Sequence, residues 1–340
     1  VTLFYQNLSH FHNIYISVYS IIFKKILVYG GLSMYTRKLI RFGNSSYVIT
    51  LPGNWIKKHK LVKGDLIYCD ENGNNELLLS SEKKEDTIEE RNITIKSDGK
   101  NERDISREIV SAYINNYRTI RIQGKELKKI TENLIMMIHN LIALEIIEQT
   151  SETIVARDFL NMKRISVTQL IRRMDIITRA MIVDSKISAK EDIYDSLVQR
   201  DKDVNRLAIL TLRTIKFMNS TQHSWEDLYR YYVTYDHLER IADDAKRIAR
   251  YLSKKGYKAT ELAKINDIYD AIEKIFGDAM KAYYLRDAAL AQKTSKFIRE
   301  NVLQHCNDLE ENTKNKNCAI LVEKFRTLCN HIKNIDRINY

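Results

Sequence analysis

The chain has 340 residues, 44% hydrophobic and 29% charged, with one proline (Pro52), ten glycines and a formal net charge of +11. So little proline and glycine excludes an all-β or low-complexity chain and favours regular helices. At about 150 residues per domain the length gives two or three domains. Cys69, Cys306, Cys318 and Cys329 form no C-x-x-C pair, which suits reduced thiols in a cytoplasmic protein rather than a disulfide framework.

Residues 1–33 are aromatic and apolar, but the run Ile14–Phe23 is ten residues, too short for a spanning helix of about 20. Lys24 and Lys25 follow that run, whereas a signal peptide places its charge first. The expectation is a non-native or disordered extension with Met34 as the working initiator and no stable membrane insertion. A peripheral or membrane anchor is the alternative.

Charge is concentrated just after it. Between Met34 and Lys63 stand Arg37, Lys38, Arg41, Lys57, Lys58, Lys60 and Lys63, with no Asp or Glu, a local charge of +7. Residues 1–33 add +2, which leaves 11 − 7 − 2 = +2 for the rest. A basic block on a balanced body is an electrostatic footprint for a polyanion.

Residues 34–81 are expected to form a small β-rich unit. Strands are predicted over 35–42 and 47–51, separated by the turn dipeptide Gly43-Asn44. Pro52 stops the second strand, and Asn54 is placed to cap a short helix through Lys60. Leu61-Val-Lys-Gly-Asp65 turns the chain into strand 65–70, and Glu71-Asn-Gly-Asn-Asn75 reverses it into strand 76–80. A 48-residue unit without metal or disulfide buries too little surface to stand alone, so it should require a partner subunit.

A charged linker over 82–91 leads into alternating periodicity. Strands are predicted at 92–95 and 119–122, with Gly124 ending the second. A helix carries Ile105, Ile109, Ala112 and Tyr113 on one face, and another carries Leu127, Ile130, Leu134, Met137 and Ile138. Strands at 144–147 and 153–156 follow. The order β-α-β-α-β-β predicts a two-layer α+β middle domain over 91–158. From Ser166 onward there is no proline. Val167, Leu170, Ile171, Met174, Ile177 and Met181 form a helical face. Breaks near 219–221, 253–258 and 312–317 predict five or six long antiparallel helices, arranged as two three-helix bundles over 166–254 and 260–340.

Two constellations carry chemistry. In the basic unit, Arg37, Lys38, Arg41, Lys57 and Lys58 attract phosphate, while Asn44 and Ser45 add short polar donors at the turn; Arg and Asn can also read base edges. A solvated basic face is the plainer alternative. In the helical body, Asp201 and Asn205 share one helix, and Glu239 and Asp243 the next. Glu239 and Asp243, four residues apart, stand on one face about 6 Å apart along the axis. Carboxylates so placed can ligate Fe, Zn, Mn or Mg. Asp236 can instead pair with Arg240, and Asp243 with Arg247.

The run Thr36-Arg-Lys-Leu-Ile-Arg-Phe-Gly-Asn-Ser-Ser-Tyr-Val-Ile-Thr-Leu-Pro52, with Trp55-Ile-Lys-Lys58 and Leu61-Val-Lys-Gly-Asp65, resembles the AbrB/SpoVT swapped-hairpin family. That resemblance implies a β-barrel head built by two interleaved copies, a homodimer, and DNA contacts from Arg37, Lys38, Arg41, Asn44 and Ser45. The stretch Asp236-His-Leu-Glu239-Arg-Ile-Ala-Asp243-Asp-Ala245 resembles the PhoU family of phosphate-signalling proteins, whose E/D-x-x-x-D motifs hold metal clusters. By that resemblance Asp201, Glu239 and Asp243 occupy ligand positions, and Asn205 stands where an Asp is expected. Residues 260–340 lack the acidic pair and match in helical character only.

Head and body together are similar to archaeal phosphate-uptake regulators. The expectation is a non-enzymatic DNA-binding regulator of phosphate uptake. The alternative is an adaptor for a phosphate-transporter ATPase or sensor kinase, with the head serving only to dimerise. No Gly-rich phosphate loop, nucleophile elbow or Cys/His couple points to an enzyme. His237 is expected to be structural, His223, His305 and His331 have no ligand spacing, Trp55 and Trp225 are expected packing anchors, and Tyr229, Tyr231, Tyr232 and Tyr235 fill core and groove.

Overall fold

A computed structural model describes residues 36–43, 45–71, 77–82, 91–218, 223–254 and 256–340. The extension 1–33, Asn44, residues 72–75 of the 71–75 reversal and most of the 82–91 linker lie outside them. The chain divides into two units: the basic head, and a larger unit containing the α+β domain and all the long helices.

In the head, β1 (Ile40–Phe42) pairs antiparallel with β2 (Ser46–Val48), and α1 spans Gly53–Lys58. Both strands are shorter than predicted. Pro52, not Asn54, stands at the N-cap, and no side chain caps the helix; Asn54 lies inside it. The 61–65 turn forms as expected. Asp65 Oδ2 accepts from the Val62 amide at 2.7 Å, and Gly64 sits at φ 103°, a conformation disfavoured for residues with a Cβ. Strands β3 (Tyr68–Glu71) and β4 (Leu77–Ser80) make a second antiparallel pair. One chain therefore carries two separate two-stranded sheets and, among the described residues, no closed barrel.

The α+β domain follows the predicted order. β5 (Asn92–Lys96), α2 (Glu102–Ile114), β6 (Thr119–Gln123), α3 (Thr131–His139), β7 (Leu144–Gln149) and β8 (Thr153–Asp158) form one sheet ordered β5-β6-β8-β7. Only β5 and β6 run parallel, because the intervening α2 provides the crossover that a parallel pair requires. Ile105, Ile109 and Tyr113 of α2 and Leu134 and Ile138 of α3 are buried with Ile120, Ile122 and Ile154 of the sheet. Gly124 is required where β6 ends: a Cβ there would lie 2.0 Å from Ser97 Oγ.

The body consists of α4 (Val167–Ile187), α5 (Tyr194–Phe217), α6 (Trp225–Leu252), α7 (Ala259–Leu285), a rod of α8 (Ala288–Phe297), a π turn and α9 (Leu303–Glu311), and α10 (Lys316–Arg337). Ser166, Ser224, Asp287 and Asn315 cap α4, α6, α8 and α10 through side-chain oxygens, the residue types whose short polar side chains satisfy orphan amides. Each predicted half contains three rods, and the apolar residues of the two halves are continuous. One apolar core runs from Val167 to Ile335, with α10 packed along α6 and α7, and α4 against both α6 and α7. The three rods of each half also pack on one another, so the two groups lie side by side with their apolar stripes facing each other, and separating them would expose both. No helix among the described residues is long and apolar enough to cross a membrane.

Candidate functional site

The head cations all reach solvent. Arg37 and Lys38 precede β1, Arg41 lies at its centre opposite Tyr47, Ser45 follows the turn, and Lys57 and Lys58 form the last turn of α1; each is exposed. Asn44 lies outside the described residues. The same unit has an apolar surface. Ten large apolar side chains in it are exposed, Phe42 at 69% and Leu66 at 72%, and none of its described residues is buried.

In the body, two of the predicted carboxylates, Asp201 and Asp243, come together, but around a cation that belongs to the chain. Asp201 on α5 is buried. Lys246 on α6 reaches it, with Nζ 2.6 Å from Asp201 Oδ2 and 2.9 Å from Asp243 Oδ1. Arg247 takes the other Asp243 oxygen at 2.7 Å, and Asn205 Nδ2 donates to Asp201 Oδ2 at 3.5 Å. The i,i+4 pairs foreseen for Asp236–Arg240 and Asp243–Arg247 both form. Lys246 thus stands where a metal bridging Asp201 and Asp243 would stand. Among the described residues, no group of three or more His, Cys, Asp or Glu is placed to hold a metal ion.

Electrostatics sharpen this picture. Burial pushes Glu239 up to about 8, with the neighbouring Asp243 and Asp236 charges adding to the shift, so it is largely protonated at neutral pH. Asp201 is also raised by burial, against the opposing pull of Lys246. Lys246 itself is raised, because its two carboxylates outweigh its own desolvation. A protonated Glu beside a lysine-bridged Asp pair is a neutralised acidic cluster with its charge internally balanced.

Sequence reasoning missed three partners. Lys246 lies inside the acidic stretch, three residues after Asp243, and that spacing was available as a signal. Asp244, next to Asp243 but turned 100° around the helix, faces α10 rather than α5; His331 approaches it there at 3.8 Å. Arg213 gave no signal at all, because its partners Asn116 and Asp158 are 97 and 55 residues away. His237 and His331 are neighbours in space, with Nδ1 atoms 3.1 Å apart, a proximity that their spacing in the sequence does not signal. Trp225 and Tyr229 are substantially exposed and anchor nothing in the core, whereas Tyr235 is buried.

The four cysteines are free thiols, Cys69 exposed and the other three buried. No family model and no curated protein matches this sequence. Among solved structures, the chain is similar to PhoU from Pseudomonas aeruginosa at 16% identity, over 51% of this chain and 93% of that chain, with a TM-score of 0.45.

Proposed function

We propose that this chain is a DNA-binding regulator that works as a homodimer through its head, with the helical body as the sensing or partner-binding element in phosphate homeostasis. One observation carries the reading: a head with exposed cations and no acid between Met34 and Lys63 has no buried residue of its own among those described. Ten exposed large apolar side chains on so small a unit need a cover, because burying apolar surface is what stabilises a domain of this size. A second copy of the same hairpins supplies that cover and doubles the cationic surface. The AbrB/SpoVT-like motif supports this occupant, and the PhoU-like motif on α6 supports the phosphate connection. The metal role of Asp201, Asn205, Glu239 and Asp243, with Fe, Zn, Mn or Mg, then requires an ion to displace Lys246.

The test is a binding titration on A/T-rich promoter DNA across a salt series, with sedimentation of the same sample. Six to ten phosphate contacts give a log–log slope of about −5 to −9. Arg41→Glu removes binding while the protein remains folded. A flat salt response, or a monomer at working concentration, rejects the DNA reading. Capture of a transporter ATPase or kinase by a chain that ignores DNA would identify an adaptor.

A further inference from the structure

His237 on α6 and His331 on α10 are 94 residues apart, yet their Nδ1 atoms face each other at 3.1 Å. The rings are tilted by 36° with centroids 5.2 Å apart. Two nitrogens that close either share a proton or share an ion. Two imidazoles bound to one ion at about 2.0–2.1 Å place their nitrogens about 2.9 Å apart at a square-planar angle and about 3.3 Å apart at a tetrahedral one. The observed separation falls between these values.

The surroundings favour the ion. Asp244 lies behind His331, with Oδ2 3.8 Å from Nε2. This carboxylate is 4% exposed and its Oδ2 has no hydrogen-bond partner. At 3.8 Å the carboxylate makes no hydrogen bond to the ring, but it favours a proton on the Nε2 edge that faces it, the tautomer that leaves the Nδ1 lone pair aimed at His237. A hydrogen bond between the two rings satisfies both Nδ1 atoms but brings no positive charge to the buried Asp244. Lys324 on α10 and Arg240 and Arg247 on α6 act on it only at a distance. A dication between the rings satisfies both lone pairs and favours the ionised form of Asp244, which burial otherwise raises to about 7.

We infer that His237 and His331 form a two-imidazole site for a divalent ion of the zinc class, bridging α6 and α10, with Asp244 as the positioning carboxylate behind His331 and water completing the coordination. The site lies on the α10 side of α6, apart from the Asp201–Lys246 cluster, and does not depend on the head binding DNA. A zinc-class ion there would tie the last helix of the chain to the one carrying the acidic motif.

The experiment is a zinc titration of the metal-stripped full-length chain, read by calorimetry and by the imidazole nitrogen resonances. One ion per chain is expected, with the His237 and His331 resonances shifting together. His237→Gln and His331→Gln each weaken binding at least about fifty-fold, whereas His223→Gln does not. Asp244→Asn weakens it about tenfold or more and shifts the His331 tautomer signals before zinc is added. The resonance readout on the unmodified chain needs no variant to fold. Absence of zinc binding overturns the inference, as does binding that leaves both imidazoles unmoved, which would place the ion on carboxylates elsewhere.

Discussion

Arg213 Nη2 on α5 donates to Asp158 Oδ2 at the end of β8 over 2.5 Å, and both side chains are out of solvent. The same nitrogen donates to Asn116 Oδ1 at 2.5 Å, and the guanidinium stacks over Tyr113, 4.3 Å from its ring centre. This buried charge pair joins the helical body to the α+β domain, beside Lys216 Nζ, which donates to Asn115 Oδ1. Asn116 accepts it from a left-handed conformation, φ 61°, which Asn adopts more readily than most residues. Asp158→Ala leaves a buried guanidinium without its counter-charge and is expected to cost about 3–5 kcal/mol. Urea denaturation measures this, and the double change Arg213→Met with Asp158→Leu recovers most of the loss. A loss below about 1 kcal/mol for the single change would show that the junction is held elsewhere.

Lys246 is expected to behave as a tethered cation. Lys246→Met abandons Asp201 and Asp243, and thermal stability should fall by the equivalent of about 3 kcal/mol. Manganese or magnesium should recover part of it by occupying the vacated position. A variant that melts like the parent and ignores both ions would dissociate the acidic residues from any cation role.

The pH dependence has two opposing parts. Asp244 and Asp336 are raised by burial from 3.8 to about 7, and Glu239 from 4.5 to about 8. Across this range the folded chain holds protons that the unfolded chain releases, so stability from these groups falls as pH rises. His237 and His331 are lowered from 6.5 to about 4; there the unfolded chain binds more protons, so stability rises with pH until about 6.5. The two trends offset each other below pH 6.5. Above it only the carboxyls act, and the melting temperature should decline from pH 6.5 to 8. Asp336→Asn should flatten that decline, since Asp336 is fully buried with Oδ1 unpartnered. An unchanged slope would mean that Asp336 is ionised in the folded protein at neutral pH.

The head makes its own prediction. Phe42 and Leu66 are exposed in one copy, so Phe42→Asp and Leu66→Asp should leave the helical signal of the body intact while shifting the chain from dimer to monomer in sedimentation. DNA affinity should drop with the dimer. A variant that stays dimeric would locate self-association on another surface.

Periodicity alone determined the element order of the α+β domain and the rods of the body, because a buried face repeats every 2 or 3.6 residues whatever the partner. The basic block from Arg37 to Lys63 and the acidic spacing from Glu239 to Asp243 were equally legible, since local sequence sets local charge. Which face meets which partner was decided by tertiary packing. Asp201 finds Lys246 rather than an open ligand position, the apolar stripes of both helical halves merge into one core, and His331 arrives beside His237 from 94 residues away. Those outcomes depend on how helices cross, and a periodic pattern specifies that a face is covered without specifying by what.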